Sequence, residues 1–425
     1  MATPPPNPTT LEAKLARAYR IDVMDLVVQY DVWPGTDRVE GSAVLQFRLR
    51  PGQTRALFHF NPRRLASPRR ERRLLQALAL DGEELDPHDR TDLRRIRSTR
   101  TTEPAFEIQR DLDQDNEHTL EISWSMAIGR RNSHPGWFFP NFDDTIGPSA
   151  ETETFWPTVS SPEEFTRHRI GLRIHDADPY VVIGSGVVER AEPDDGVQSW
   201  EIDTVRPIAS HTVFFAAVPS DQVRSVEFDA SGVPVTIVSD RSQKATDRAQ
   251  RISRATIASL VDGFGRFPMP SMHVLLTGWS SGMEYYGATR TGIGSLEHEL
   301  VHMYFGTATV NRTWRDTWFD EAAVEWWLRR DRLRALPVDF ASDIARDRSV
   351  AAPGFDTRAY GDGARILGEV AGALGGSPAM VGFLHDLHRG RAFEPFTTDD
   401  LLDDIVAAQA VIDRSQLERW LYDGG

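Results

Sequence analysis

The chain lacks cysteine altogether. Disulfide bonds are therefore excluded, and so is any metal site that depends on thiolate ligands. A metal bound by this protein must be held by nitrogen and oxygen atoms, which histidine, aspartate and glutamate side chains supply.

Basic residues are scarce relative to acidic ones, because Lys14 and Lys244 are the only lysines and the formal net charge is -15. Nucleic acids and anionic membrane surfaces both bind a basic protein face, so this balance argues against either as a main partner. An arginine-rich stretch at 63–73 is the local exception, and it is interpreted as a solvated loop.

Long apolar runs are missing as well. The chain begins with MATPPPNP, which lacks the basic region and apolar stretch of a secretion signal. No later run is long and apolar enough to span a bilayer. These absences predict a soluble, cytoplasmic protein.

A length of 425 residues, 40% of them hydrophobic, predicts a globular chain of two domains. Residues 1–18 begin with a proline-rich stretch and are predicted to be disordered or to form a short helix. Residues 19–226 show short alternating runs separated by turn residues, which predict an all-β domain. From 227 to 425 the apolar period becomes mainly helical, so the predicted fold class is α+β.

The most informative motif is HELVH at 298–302, followed by Glu321 after the eighteen residues 303–320. Residues four apart on a helix share a face, so His298 and His302 can present two imidazoles to one metal, with Glu299 beside it. Glu321, on a second helix, can complete the set. Three protein ligands leave the fourth tetrahedral position to water, which predicts one catalytic zinc ion.

The surroundings of Glu321 support this interpretation, since bulky aromatic residues flank it between 314 and 327. An uncompensated buried carboxylate costs roughly several kcal/mol, so a metal ligand explains Glu321 better than a stray core acid does. A surface glutamate at a helix start is the alternative. Glu325, one turn after Glu321, and Asp320 are candidates for orienting a metal ligand.

Four segments resemble the zinc aminopeptidases of the aminopeptidase N type, which are gluzincin metallopeptidases. Residues 298–306, HELVHMYFG, resemble the H-E-x-x-H-x-W-F-G helix of that family, and residues 318–323, WFDEAA, resemble its W-L-N-E-G-F segment. Residues 281–285, SGMEY, resemble the G-x-M-E-N exopeptidase motif, with tyrosine in place of asparagine. Residues 360–364, YGDGA, resemble Y-x-K-G-A, with aspartate in place of lysine.

The resemblance implies an N-terminal, saddle-like all-β domain followed by a thermolysin-like, mainly helical metallopeptidase domain. The family continues into further C-terminal domains. This chain ends soon after a helical segment at 416–421 that is similar to the end of the catalytic domain, so a short form without those domains is expected.

The resemblance also implies an activity, the hydrolysis of N-terminal residues from peptides with a free N-terminus by a metal-activated water. Glu299 is then the general base, and Tyr360 donates a hydrogen bond to the oxyanion. Gly282, Met283 and Glu284 form the substrate-binding exopeptidase motif, in which the Glu284 carboxylate binds the α-ammonium group of the substrate.

Three other functions stay open at this point. The chain could be a specialised protease that trims leader peptides, an epoxide hydrolase like the leukotriene hydrolase branch of the same family, or an inactive peptide-binding scaffold. The preferred N-terminal residue and the oligomeric state have no readable pattern. The resemblance also implies a polar contact from the β-rich domain to the substrate amine, and the stretch at 133–144 is the candidate for it.

Overall fold

The structure is a computed structural model. It describes the residues that follow: 10, 19–36, 38–60, 75–97, 104–127, 137–139, 156–159, 162–194, 196–345 and 356–423. The predicted N-terminal segment 1–18, apart from Thr10, and the whole arginine-rich stretch at 63–73 lie outside these residues. Of the stretch 133–144, only Trp137–Phe139 is described.

The described residues from 19 to 223 form strands and short 3-10 turns. The strands are β1 (Ile21–Trp33), β2 (Arg38–Leu49), β3 (Leu57–His59), β4 (Leu75–Leu80), β5 (Glu83–Leu85), β6 (Leu93–Arg97), β7 (Pro104–Ile108), β8 (Glu117–Ala127), β9 (Trp137–Phe139), β10 (Phe165–His175), β11 (Tyr180–Gly184), β12 (Val187–Arg190), β13 (Val197–Asp203), β14 (Ile208–Ala209) and β15 (Phe215–Pro219).

Most of these strands belong to one large sheet of nine described strands, in the order β12-β13-β10-β1-β2-β8-β4-β5, with β14 paired to β10. Buried and solvent-facing residues alternate along β2, as expected where one face of a sheet covers a core and the other meets water. The described residues also form two three-stranded sheets, β11-β15-β9 and β3-β7-β6.

A five-stranded sheet and the described helices follow. Its order is β16-β17-β18-β20-β19, and its strands are β16 (Arg224–Ala230), β17 (Val233–Ser239), β18 (Met272–Leu276), β19 (Gly282–Tyr285) and β20 (Ala288–Thr291). The helices are α1 (Gln243–Phe264), α2 (Leu296–Val301), α3 (Trp318–Arg329), α4 (Asp362–Leu374), α5 (Ser377–Arg391), α6 (Thr398–Ala408) and α7 (Arg414–Tyr422).

The division into two domains stays a prediction. Its boundary at 227 falls inside β16, which pairs along its whole length with β17, so the second sheet begins three residues earlier, at Arg224. One apolar cluster runs without a break from strand residues such as Tyr30 to helix residues such as Leu300.

The helix that carries the HELVH motif is shorter than its apolar pattern predicts. The pattern from 296 to 305 predicts one continuous helix, but α2 ends at Val301 and His302 is its C-cap. The chain then turns, because the Thr307 hydroxyl donates to the His302 carbonyl at 3.0 Å and Gly306 adopts a positive φ of 112°. His302 therefore lies at the last turn of α2 and keeps its position opposite α3.

A second, smaller apolar cluster joins the preceding strands to the five-stranded sheet. Phe214 and Tyr285 stack at its centre, with ring centroids 4.7 Å apart and an interplanar angle of 16°. The backbone N–H of Tyr286 also donates to the Thr212 carbonyl at 2.8 Å. These contacts hold the end of β19, an edge strand, against the β-rich part of the chain.

Within the described part of the chain, no single helix is long and apolar enough to cross a bilayer, although the bent pair Thr357–Leu374 and Ser377–Arg391 would pass such a test by length and composition.

Replacing Phe214 with alanine tests this second cluster. Phe214 is fully buried, so Phe214→Ala is expected to lower the free energy of unfolding by about 3–5 kcal/mol through lost contacts and a cavity. Chemical denaturation measures the change. Val406→Ala is the control, since Val406 is 37% exposed and its loss should cost no more than about 0.5 kcal/mol. Equal effects of the two substitutions would contradict the packing described.

Candidate active site

Two helices bring the predicted metal ligands together. His298 and His302 come from α2, and their Nε2 atoms lie 3.0 Å apart. Glu321 comes from the first turn of α3, and its Oε2 atom lies 3.2 Å from His298 Nε2 and 3.4 Å from His302 Nε2. Two imidazole nitrogens and one carboxylate oxygen therefore converge on a single point.

This set fits a divalent metal ion. Glu321 Oε2 is buried, and among the described residues no group forms a hydrogen bond with it. A buried oxygen in this state needs an ion or another partner to offset its desolvation. Two nitrogen ligands and one oxygen ligand are also a donor set that catalytic zinc sites use.

The outer nitrogens of the two imidazoles have different partners. His302 Nδ1 lies 3.0 Å from the Phe305 carbonyl, and His298 Nδ1 lies 3.1 Å from Glu325 Oε1. Both partners are pure acceptors, so each Nδ1 carries the proton and donates. In the neutral form of each ring, which is the form that a metal ligand needs, the Nε2 lone pair then points toward Glu321.

The pKa values of His298 and Glu321 are shifted in opposite directions. Burial lowers the pKa of His298, but the adjacent Glu321 and Glu325 carboxylates outweigh this effect and raise the pKa to about 9. Burial raises the pKa of Glu321, yet the two imidazoles bring it well below its usual range. The cluster therefore stabilises an ionised carboxylate beside a positive charge, the arrangement that a bound cation would also require.

Glu299 lies beside the ligands and is almost fully buried. It packs against Gly282 of β19, where a Cβ atom would overlap the Glu299 carboxyl group. Burial, and then the nearby Glu284 carboxylate, raise the pKa of Glu299 to about 8. A carboxylate whose pKa lies near neutrality is well matched to the role of a general base.

Glu284 shares this site from the edge strand. One carboxylate oxygen of Glu284, one of Glu299 and a ring nitrogen of His302 all lie within 4.8 Å of one another. Side chains alternate along β19, so Gly282 and Glu284 share the face that meets Glu299, while Met283 packs against the apolar cluster on the opposite face. The Met283 side chain therefore points away from the site, and only its backbone is near.

Tyr360 reaches the site from a short 3-10 helix, Thr357–Tyr360, that precedes α4. Its hydroxyl donates to Glu321 Oε1 at 2.6 Å, and its ring stacks 5.8 Å from the His298 ring. Burial and the neighbouring Glu321 carboxylate raise the pKa of Tyr360 far above its usual value. The phenol therefore stays protonated and is a hydrogen-bond donor at the metal set.

Two further charged residues, Asp320 and Arg329, lie near the metal ligands in contacts that the sequence did not predict. Asp320 Oδ1 accepts from the Glu321 backbone N–H at 2.6 Å, so this carboxylate contacts the backbone of a metal ligand instead of an imidazole. Arg329 pairs with Glu325 Oε2 at 2.6 Å and was not predicted. Its four-residue spacing after Glu325 on one helix was the available signal.

The chain is similar in sequence or in fold to several known proteins. No family model matches the chain. Bovine glutamyl aminopeptidase is 22% identical over 320 residues, which cover 64% of this chain and 33% of that protein. A crystal structure of aminopeptidase A from Legionella pneumophila in complex with aspartic acid superposes with a TM-score of 0.74 at 14% identity, over 96% of this chain and 50% of that chain.

A crystal structure of an M1 zinc metallopeptidase from Deinococcus radiodurans gives a TM-score of 0.65 at 18% identity, over 96% of this chain and 95% of that one. The same values hold for a variant of that enzyme bound to a Tyr-Ser-Ala substrate. The predicted α+β class and the resemblance to these peptidases are thus confirmed at the level of the fold. The chain spans only a third of the bovine relative and half of the Legionella chain.

Zinc content tests the ligand set directly. Glu321→Gln removes the carboxylate that faces both Nε2 atoms, so the purified variant is expected to hold far less zinc than the single equivalent expected of the parent protein. Elemental analysis after dialysis measures this. Glu297→Gln is the matched control, because Glu297 is exposed on the same helix as the histidines. Full zinc occupancy in Glu321→Gln would rule out this ligand set.

Proposed function

We propose that this protein is a zinc-dependent aminopeptidase that removes N-terminal residues from peptides. The observation that carries the proposal is the position of Glu284, whose carboxylate lies on an edge strand within 4.8 Å of Glu299 and His302. An anion at that place would bind the ammonium group of a peptide N-terminus beside the metal set. The similarity to bovine glutamyl aminopeptidase, to the Legionella aminopeptidase A and to the Deinococcus metallopeptidase bound to Tyr-Ser-Ala supports the same activity.

The metal would be held by His298, His302 and Glu321. A zinc ion supplies Lewis acidity, which acidifies water and polarises a carbonyl group. The sequence contains no cysteine, so nitrogen and oxygen atoms would be the metal ligands.

Glu299 would move the protons. Its carboxylate accepts a proton from the attacking water and then delivers it to the departing amine, so a single buried group serves as base and as acid. Gly282 leaves the space that this carboxylate occupies, because a Cβ atom at 282 would overlap it.

Tyr360 would donate a hydrogen bond to the carbonyl oxygen as negative charge develops on it. The phenol is protonated and already lies against Glu321, so it is placed on the ligand side of the site. Glu284 would hold the α-ammonium group at a fixed distance from Glu299, which limits cleavage to the first peptide bond. Met283 would contribute through its backbone, since its side chain packs in the apolar cluster.

The substrate of this proposal is a peptide with a free N-terminus. The β-rich part of the chain would form the saddle-like domain of the two-domain peptidases, and the helical part would form the thermolysin-like domain. The cytoplasmic location and the exclusion of nucleic acids and membranes as partners stay predictions.

Replacing Glu299 with glutamine tests the mechanism. Glu299→Gln keeps the ligands and is expected to retain zinc, but it should lower kcat by about 100- to 10,000-fold because the base is lost. A panel of aminoacyl fluorogenic amides measures the activity, with zinc content as the control. Full activity in Glu299→Gln would contradict the mechanism. A zinc-loaded parent protein that cleaves no amide would favour a peptide-binding scaffold.

Gly282→Ala tests the contact that positions the base. The added Cβ atom would displace the Glu299 carboxyl group, and a shift of about 1 Å in a catalytic group lowers the rate by about 100-fold. Gly294→Ala is the matched control, since a Cβ atom at 294 meets no other group within 4 Å. Equal kcat values for the two variants on the same substrate would contradict the close packing of Glu299 on Gly282.

A further inference from the structure

We propose that Glu325 and Arg329 form a positioning relay that fixes the orientation of His298 and thereby sets the affinity of the site for zinc. The inference rests on the proposed metal site but goes beyond the proposed reaction. Its basis is a chain of two contacts: His298 Nδ1 to Glu325 Oε1 at 3.1 Å, and Glu325 Oε2 to Arg329 Nε at 2.6 Å.

The helix places these groups in line with the metal ligands. Glu325 and Arg329 follow Glu321 at successive intervals of four residues on α3, so all three share one face of the helix. Glu321 meets His298 on its Nε2 side while Glu325 meets the same ring on its Nδ1 side. One helix therefore holds both nitrogens of the His298 ring.

The burial of Glu325 sets it apart from an ordinary helix ion pair. Only 6% of Glu325 is exposed, whereas the Arg329 side chain is 54% exposed. Exposed pairs with this spacing contribute little to helix stability, and burying a carboxylate is unfavourable unless its partners compensate. The His298 ring and the Arg329 guanidinium are those partners, which assigns to Glu325 a role at the histidine.

The other histidine provides an internal comparison. His302 Nδ1 donates to a neutral backbone carbonyl, that of Phe305, whereas His298 Nδ1 donates to a carboxylate. A carboxylate partner makes the opposite ring nitrogen a better electron donor than a carbonyl does, and it fixes the ring plane. The two rings also differ in burial. The His302 side chain is 1% exposed and is surrounded by packed groups, whereas the His298 side chain is 17% exposed and depends more on its hydrogen-bond partner for its orientation.

The relay is tested by zinc affinity, measured on the full chain by competition with a chromophoric chelator. Glu325→Ala removes the acceptor and is expected to weaken zinc binding by about 10- to 100-fold, the range typical of losing such a partner. Glu325→Gln keeps an acceptor but not the charge, so its loss should be smaller. Arg329→Met should weaken binding in the same direction. Glu297→Gln, an exposed glutamate beside His298, should leave the affinity unchanged.

A second measurement separates positioning from stability. With Co2+ in place of zinc, the visible absorption spectrum reports the ligand geometry, and we expect it to change in Glu325→Ala and to recover in part in Glu325→Gln. Unchanged zinc affinity and an unchanged Co2+ spectrum in Glu325→Gln and Glu325→Ala would overturn the relay, as would a loss confined to the thermal stability of the metal-free protein.

The failure of the relay and the failure of the proposed function are distinguishable. A parent protein that takes up no zinc would overturn the metal site, and the relay with it. A parent protein and Glu325 variants that take up zinc with the same affinity would overturn the relay alone and leave the proposed peptidase activity in place.

Discussion

The site depends on one electrostatic constraint, the convergence of a buried carboxylate and two imidazoles on a single point. Glu321 Oε2 lies within 3.4 Å of both Nε2 atoms, and the opposite pKa shifts of His298 and Glu321 show how strongly each charge depends on the other. Such a group is stable in a protein interior only with a cation among its members. The packing of the surrounding elements keeps these three side chains at that distance.

Helix ends, a close strand approach and an aromatic stack maintain this arrangement. Helix α2 ends at Val301 with His302 as its C-cap, and α3 carries Glu321 in its first turn, so the ends of two helices meet at the site. Strand β19 approaches closely enough for Gly282 to touch Glu299. The Phe214–Tyr285 stack anchors that strand from behind, on the face opposite Glu284. Packing away from the metal set thus determines where the Glu284 and Glu299 side chains lie.

Local periodicity explains what the sequence could predict. His298, Glu299 and His302 were found from helical spacing alone, and alternation in residues such as those of β1 and β2 predicted strands in the right places. The roles of Glu284 and Tyr360 came from resemblance to a family. Glu284 lies on the strand Gly282–Tyr285 and Tyr360 in the 3-10 helix Thr357–Tyr360, and segments so far apart in the sequence share no local pattern. Their convergence on the zinc motif is a tertiary property.

Other features depend on contacts that no local pattern contains. The end of α2 at Val301 is set by a turn involving Thr307 and Gly306, although the apolar period continues to 305. The direction of Met283 depends on which face of β19 packs against the preceding strands. The need for glycine at 282 becomes clear only when Glu299 is seen against it.

The central claim is that Glu284 directs this zinc site to peptide N-termini. The most direct measurement compares cleavage of one peptide with a free N-terminus and of the same peptide after N-terminal acetylation, with the products identified by mass spectrometry. The account predicts stepwise release of single residues from the free peptide and no cleavage of the acetylated one. Equal cleavage of both, or cuts at internal bonds, would contradict it.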